Sequence, residues 1–218
     1  SYYHSPDFIS AMVLAYERET SQSAKNAIAQ ILINSKMCAL GKRPICQDTG
    51  IVNVFVEVGM SVEWDSEFSL EDMINEGVRR AYNEPDNRLR ASIVSDPLFG
   101  RKNTQDNTPA VIHTKIVKGR KLDITVAAKG GGSENKSKFT VLNPDDSLTD
   151  WVLKTVPKMG AGWCPPGMIG IGVGGTAEKA MLMAKSSLME PIDINEIKDK
   201  SNPSEIEKLR IDLFNKIN

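Results

Sequence analysis

The octapeptide IVNVFVEV, residues 51–58, constrains the fold more than any other stretch. It is short, apolar and rich in β-branched residues, and it follows the turn-forming CQDTG (46–50), so it reads as a strand. AVIHTKIV (110–117) and LDITVAAK (122–129), joined by KGRK, have the pattern of a hairpin. Elsewhere the apolar spacing turns helical. Phe8, Ile9, Met12, Val13 and Tyr16 form one helical stripe, and Ala24, Ile28, Ile31 and Leu32 form another with Ser21 or Ser23 as its cap. SLEDMINEGVRRAY (69–82) is amphipathic, with Ser69 and Asp72 spaced as a capping box. Helices are also predicted over 147–160 and 176–189, with a Gly-rich strand or turn at 168–175. A last helix follows Ser204 and Glu207, with Ile206, Leu209, Leu213 and Phe214 on its stripe. Residues 83–109 hold three prolines and several Asn and Asp, and read as a loop long enough to have a task of its own. Strands and helices mix without strict alternation, which gives an α+β fold: a mixed β-sheet flanked by helices.

Composition narrows the function classes. With 27 Lys plus Arg against 28 Asp plus Glu the net charge is −1, which offers no electrostatic footprint for nucleic acid or an anionic membrane surface. No apolar run approaches the roughly 18 residues of a membrane span. The first residues, SYYHSPDFIS, lack the basic and apolar regions of a secretory signal and an initiator Met, so a fragment of a cytoplasmic protein is expected. Three cysteines, Cys38, Cys46 and Cys164, make no disulfide framework, and two histidines, His4 and His113, argue against a histidine-built zinc site.

The motifs carry competing readings. Gly170, Gly172 and Gly175 fit G-x-G-x-x-G, but WCPPG interrupts any strand before them and no second strand with a terminal acid follows, so a dinucleotide site is disfavoured. Close backbone approach is the better reading of these glycines, with an anion at the following helix N-terminus as a further option. KGGGSENKS (129–137) is not a Walker loop. Its glycines abut Ser133, Asn135 and Lys136, donors suited to a carboxylate or phosphate, against the plainer reading of a flexible turn. Cys38 ends an apolar helical stripe and reads as a small buried hydrophobe. Cys46 and Cys164 lie in irregular, Pro- and Gly-flanked segments where a thiolate can be approached. Arg88 and Arg90 in DNRLRAS are either solvated loop residues or a planar clamp for a carboxylate.

CQDTG, NRLRAS, AAKGGGSENKS, KTVPKMGAGWCPPGMIGIGVGGTAEKAMLMAK and EPIDI together resemble the N-terminal half of class I, iron–sulfur-dependent fumarate hydratases, in the bacterial single-chain form more than the split two-subunit form. The resemblance runs from SYYHSPDFI to about Ile194. It implies that residues 1–218 are one N-terminal iron–sulfur hydro-lyase domain, a fragment inactive alone. It also implies a [4Fe–4S] cluster on three cysteines with one iron open as a Lewis acid. Cys46 and Cys164 match two ligand positions, Cys38 matches none, and the third ligand lies in a region that this chain does not contain. By the same resemblance Asp48 is the acid/base residue and Gln47 a hydrogen-bond donor to substrate. Arg90 is the carboxylate clamp, Gly131 or Gly132 gives a backbone N–H to the dianion, and Thr49 is a turn residue. The implied reaction is hydration of fumarate to (S)-malate, with tartrate dehydratase and mesaconate hydratase as alternatives. The implied partners are a small dicarboxylate, a C-terminal domain of the same enzyme and a second copy in a homodimer. From other classes, a non-catalytic anion-binding module or an assembly domain remain as readings.

Overall fold

Val52, Val54, Val56 and Val58 alternate along the strand Ile51–Gly59, and all four are buried. At a period of two they share one face of the strand, which must be covered. The structure that covers it is a computed structural model describing residues 1–46, 49–164 and 166–218. In chain order its elements are α1 (Pro6–Arg18), α2 (Gln22–Gly41), β1 (Ile51–Gly59), α3 (Leu70–Asn83), β2 (Val94–Ser95), β3 (Lys102–Asn103), β4 (Val111–Val117) and β5 (Leu122–Lys129). There follow α4 (Gly131–Glu134), α5 (Leu148–Thr155), a 3₁₀ segment (Val156–Trp163), α6 (Ala177–Ser187), α7 (Ile194–Lys198) and α8 (Glu205–Ile217). They fall into two compact units, Ser1–Ser5 with Met12–Gly131, and Pro6–Ala11 with Gly132–Asn218.

In the first unit α3 supplies the cover. Val78 is buried in the valine cluster, and Leu70, Ile74 and Tyr82 pack against it. The helix starts where the sequence indicates: the Ser69 hydroxyl accepts from Asp72 N at 3.1 Å, and the Asp72 carboxylate accepts from Ser69 N at 3.2 Å. The strands predicted over 110–117 and 122–129 are present, but they do not pair as a hairpin. The sheet order is β4-β1-β5, with β1 parallel to β4 and antiparallel to β5. The connection between β4 and β5 instead passes the end of β1, where Gly59 N donates to Lys121 O, Met60 N to Val117 O and Ser61 N to Gly119 O. Spanning two strand spacings takes roughly 10 Å, within reach of four residues. The central place gives the most apolar strand a hydrogen-bonded neighbour on both edges, a gain that local turn chemistry does not register. The mixed sheet with helices fits the expected α+β class. The loop 83–109 carries the short antiparallel ribbon β2–β3.

The second unit is helical, with Val152, Ile197 and Leu213 as its buried apolar residues from α5, α7 and α8. Residues 168–173 form no strand: their glycines let irregular backbone lie against α6. A Cβ at Gly170 would sit 2.1 Å from the Ala184 carbonyl oxygen, and one at Gly172 2.0 Å from that of Ala180. Packing therefore accounts for these two positions of G-x-G-x-x-G.

At α8 the capping box of Ser204 and Glu207 is formed, whereas Ile206 of the expected stripe is 72% exposed. The Lys200 ammonium, with the Ser204 backbone and hydroxyl, holds the Glu207 carboxyl down to about 2. A carboxyl depressed on folding stabilises fully above its unfolded value of 4.5, and that stabilisation is lost as pH falls toward about 2. The first turn of α8 is therefore expected to loosen across that window, and Glu207→Gln to remove that part of the acid response. An NMR titration that placed Glu207 near 4.5 would contradict this.

Candidate functional site

The start of β1 gathers three segments of the first unit. In the β1–β5 register Ile51 faces Lys129, so the beginning of KGGGS arrives beside the end of CQDTG. Approach is close enough that a Cβ on Gly50 would lie 2.6 Å from the Lys129 carbonyl carbon, and Gly50 has φ +75°, where L side chains are strained. Ala110 N donates to the Asn75 side-chain oxygen at 2.8 Å, and β4 begins at Val111 opposite Asn53, so the end of the long loop arrives at the same place.

Side chains tie these segments together. Thr49 is 5% exposed, and its hydroxyl donates to the Arg90 carbonyl oxygen. Tyr82 from α3 donates its phenol to the Thr49 carbonyl at 3.0 Å. Asn107 is 0% exposed. Its amide nitrogen donates to Gly50 O at 3.0 Å, while its oxygen accepts from Ser92 N at 2.8 Å and Ile93 N at 3.3 Å. Next to it, Asp106 is ionised below the usual carboxylate range: partial burial opposes this, but hydrogen bonds from Thr108 and the Arg79 guanidinium outweigh it. The result is a bracket between Thr49–Gly50 and the loop bearing Arg90, which is itself exposed. Thr49, Tyr82 and Asn107 were not singled out as site residues by sequence reasoning. Asn107 carried a faint signal as part of an Asn- and Asp-rich loop long enough to need a task.

Gln47 and Asp48 lie outside the described residues. Just before them, Asn34 of α2 donates to Ile45 O at 2.9 Å and Ile45 N donates to Ser1 O at 2.9 Å, which fixes the approach to the exposed Cys46. Cys38 is buried, its thiol directed to Pro44 O at 3.4 Å and Asn34 Oδ1 at 3.5 Å, as its reading as a core residue expects.

GGSE forms the single helical turn α4, not a flexible loop. A Cβ on Gly132 would lie 2.8 Å from Gly162 O, and one on Gly162 2.8 Å from the Lys136 side chain, so this turn abuts the backbone just before Cys164. Glu134 of the turn pairs with Lys185 of α6 at 2.8 Å, a half-buried ion pair that sequence reasoning did not single out. Cys164 caps the 3₁₀ segment with φ +60° and is exposed. The N-terminus of α6 already holds a carboxylate, because Glu178 accepts from the Thr176 hydroxyl at 2.6 Å and is thereby kept below its ordinary pKa. That favours packing over anion capture for this end of the helix.

As a donor set, Cys46 and Cys164 fit part of an iron–sulfur ligand set: two approachable thiols outside any disulfide, on irregular backbone. Among the described residues no group of three His, Cys, Asp or Glu is assembled. Among them, too, no helix is long and apolar enough to cross a membrane.

The first unit thus sets the Arg90 loop and the start of the glycine-rich segment beside the entry to a mixed sheet. The chain belongs to the fumarate hydratase (Fumerase) family, which it matches over residues 1–218. It is similar to a protein of Methanocaldococcus jannaschii provisionally named as the alpha subunit of L(+)-tartrate dehydratase. The two are 33% identical over 219 residues, covering 97% of this chain and 74% of that protein. With the anaerobic class I fumarate hydratase of Escherichia coli K12 it is 30% identical over 174 residues, 78% of this chain and 31% of the other. With the L(+)-tartrate dehydratase alpha subunit of the same strain it is 25% identical over 189 residues, 85% of this chain and 62% of the other. This chain thus spans about a third of one of these relatives and about three fifths of another.

Proposed function

We propose that this chain is part of a hydro-lyase that adds water to fumarate to give (S)-malate. The observation that carries this reading is the family match over the whole chain, and the bracket between Thr49–Gly50 and the Arg90 loop, with Lys129 opposite Ile51, supports it. Dehydration of L(+)-tartrate is the second reading, favoured by the 33% identity to the relative that bears that name.

The substrate is a dianion, and the residues proposed for it are chosen for that charge. Arg90 holds one carboxylate through its planar guanidinium, and a backbone N–H of Gly131 or Gly132 adds a second donor. Gln47 donates a hydrogen bond to the same molecule. The glycine N–H and Gln47 stabilise charge as it shifts onto the carboxylate when water adds or leaves, whereas Arg90 holds its carboxylate alike in ground state and transition state. Asp48 holds and moves the proton. Cys46 and Cys164 would hold a [4Fe–4S] cluster with a third thiolate from the rest of the enzyme, and when bound the cluster supplies a Lewis acid for substrate oxygen without redox change. The rest of the enzyme includes a C-terminal domain, the enzyme is a homodimer, and its place is the cytoplasm. The fragment alone is inactive.

The test uses the intact enzyme, reconstituted with iron and sulfide without oxygen and offered fumarate and L(+)-tartrate in parallel. Malate formation is expected, and Asp48→Asn is expected to lower kcat about 10²- to 10⁴-fold. Turnover of tartrate alone would establish the second reading. An Asp48→Asn enzyme at full rate would remove Asp48 from the chemistry.

A further inference from the structure

We propose that Thr49 is a positioning residue for the Arg90 clamp, setting the affinity of the site for the dicarboxylate; this rests on the function proposed above. A solvated arginine on a long loop spends most of its time out of register with a ligand, because its side chain carries rotamer freedom that binding must remove. The backbone from which it projects is therefore what a protein can fix in advance.

At Arg90 that fixing is done by one bond across 41 residues of sequence: the Thr49 hydroxyl donates to the Arg90 carbonyl oxygen. The donor is nearly fully buried, while the arginine itself is exposed. Thr49 is held in turn from the other side, where its carbonyl accepts from Tyr82 at 3.0 Å. Two residues beyond Arg90, the backbone at Ser92 and Ile93 is pinned by Asn107, which also grips Gly50, the neighbour of Thr49. The Arg90 segment is thus anchored at two points, directly by Thr49 and through Asn107 to Gly50, the two residues that follow Asp48 in sequence. Of the two anchors only Thr49 reaches Arg90 itself. A turn residue needs no hydroxyl on a buried side chain, and Thr49→Val keeps its shape while deleting that donor.

The geometry makes a kinetic statement. An anchor acting on a carboxylate clamp serves ground state and transition state alike, so its loss raises KM and leaves kcat. In the intact, reconstituted enzyme, steady-state kinetics with fumarate and with L(+)-tartrate are measured for Thr49→Val, Thr49→Ser, Arg90→Ala and the double variant Thr49→Val/Arg90→Ala. For whichever substrate is turned over, Thr49→Val is expected to raise KM on the order of tenfold with kcat within about twofold. Thr49→Ser, which keeps the hydroxyl, is expected to restore KM. In the Arg90→Ala background the threonine change is expected to add less than about twofold, because an anchor has no effect once its clamp is gone. A Thr49→Val enzyme with unchanged KM, beside an Arg90→Ala enzyme with raised KM, would overturn this inference and leave the clamp standing. An unchanged KM in Arg90→Ala would overturn the clamp and the inference together. Equal effects of Thr49→Val with and without Arg90 would reduce Thr49 to general support of the fold.

Discussion

Exchange of Cys164 for alanine in the intact enzyme is expected to lower turnover to background, a loss larger than the about 10²- to 10⁴-fold of a missing proton-transfer group. Even partners that only touch a metal's ligands typically change metal affinity or activity by 10- to 100-fold, and Cys164 is proposed as a ligand itself. The residue is exposed, caps an irregular 3₁₀ segment at φ +60° and has no partner in a disulfide, so the fold makes little structural use of its sulfur. Alanine keeps the same backbone class and is expected to leave the thermal midpoint near wild type. Iron bound per chain, measured after anaerobic reconstitution, is the second readout and should fall with activity. Cys38→Ala is the matched control: its thiol is packed against Pro44 and Asn34 in the first unit, so it should lower stability while sparing iron and turnover. Wild-type iron loading and turnover in Cys164→Ala would withdraw the residue from the ligand set.

Asn107→Ala carries the largest expected effect on stability, about 3–5 kcal/mol. Three backbone groups, Gly50 O, Ser92 N and Ile93 N, lose the partner that the fully buried Asn107 gives them, Gly50 in the interior and Ser92 and Ile93 nearer the surface. Each buried polar group left unsatisfied costs about 1–3 kcal/mol, and neighbours in one network do not add fully. The backbone adds its own share, because Asn107 has φ +59°, a region that asparagine enters more readily than alanine. For a chain of this size a loss of 3–5 kcal/mol lowers the melting temperature by roughly 6–20 °C. Calorimetry of the variant checks it, and a shift below about 2 °C would mean that the network repairs itself. Because Asn107 braces the same loop as Thr49, its effect on substrate binding is to be read only at temperatures where the variant remains folded.

Much of the local structure was legible in the residues. The capping boxes at Ser69 and Ser204 formed as their spacing indicates, because a cap is made by residues three apart and needs no distant partner. The same holds for the burial of Cys38 at the end of a helical stripe and of the alternating valines of β1. The hairpin expected of 110–129 failed for the opposite reason. Its turn is suited to a local pairing, but β1, some 60 residues upstream in sequence, takes the position between the two strands. Glycines 170 and 172 show the same division. Their spacing says only that backbone comes close to something, and the fold says that the something is α6.

By itself, then, the sequence determined the mixed α+β class, the identity and rough bounds of the main strands and helices, and the motifs that mark the family. These depend on hydrophobic period, capping chemistry and residue type, which are carried by neighbours along the chain. Only the tertiary structure decided the strand order, the use of the G-x-G-x-x-G glycines for packing, and the bracket of Thr49, Tyr82 and Asn107 around the Arg90 loop. Those features are contacts between residues tens of positions apart. Their free energy comes from burying polar groups with partners and apolar faces with covers, and no single stretch of the chain holds both halves of such a pair.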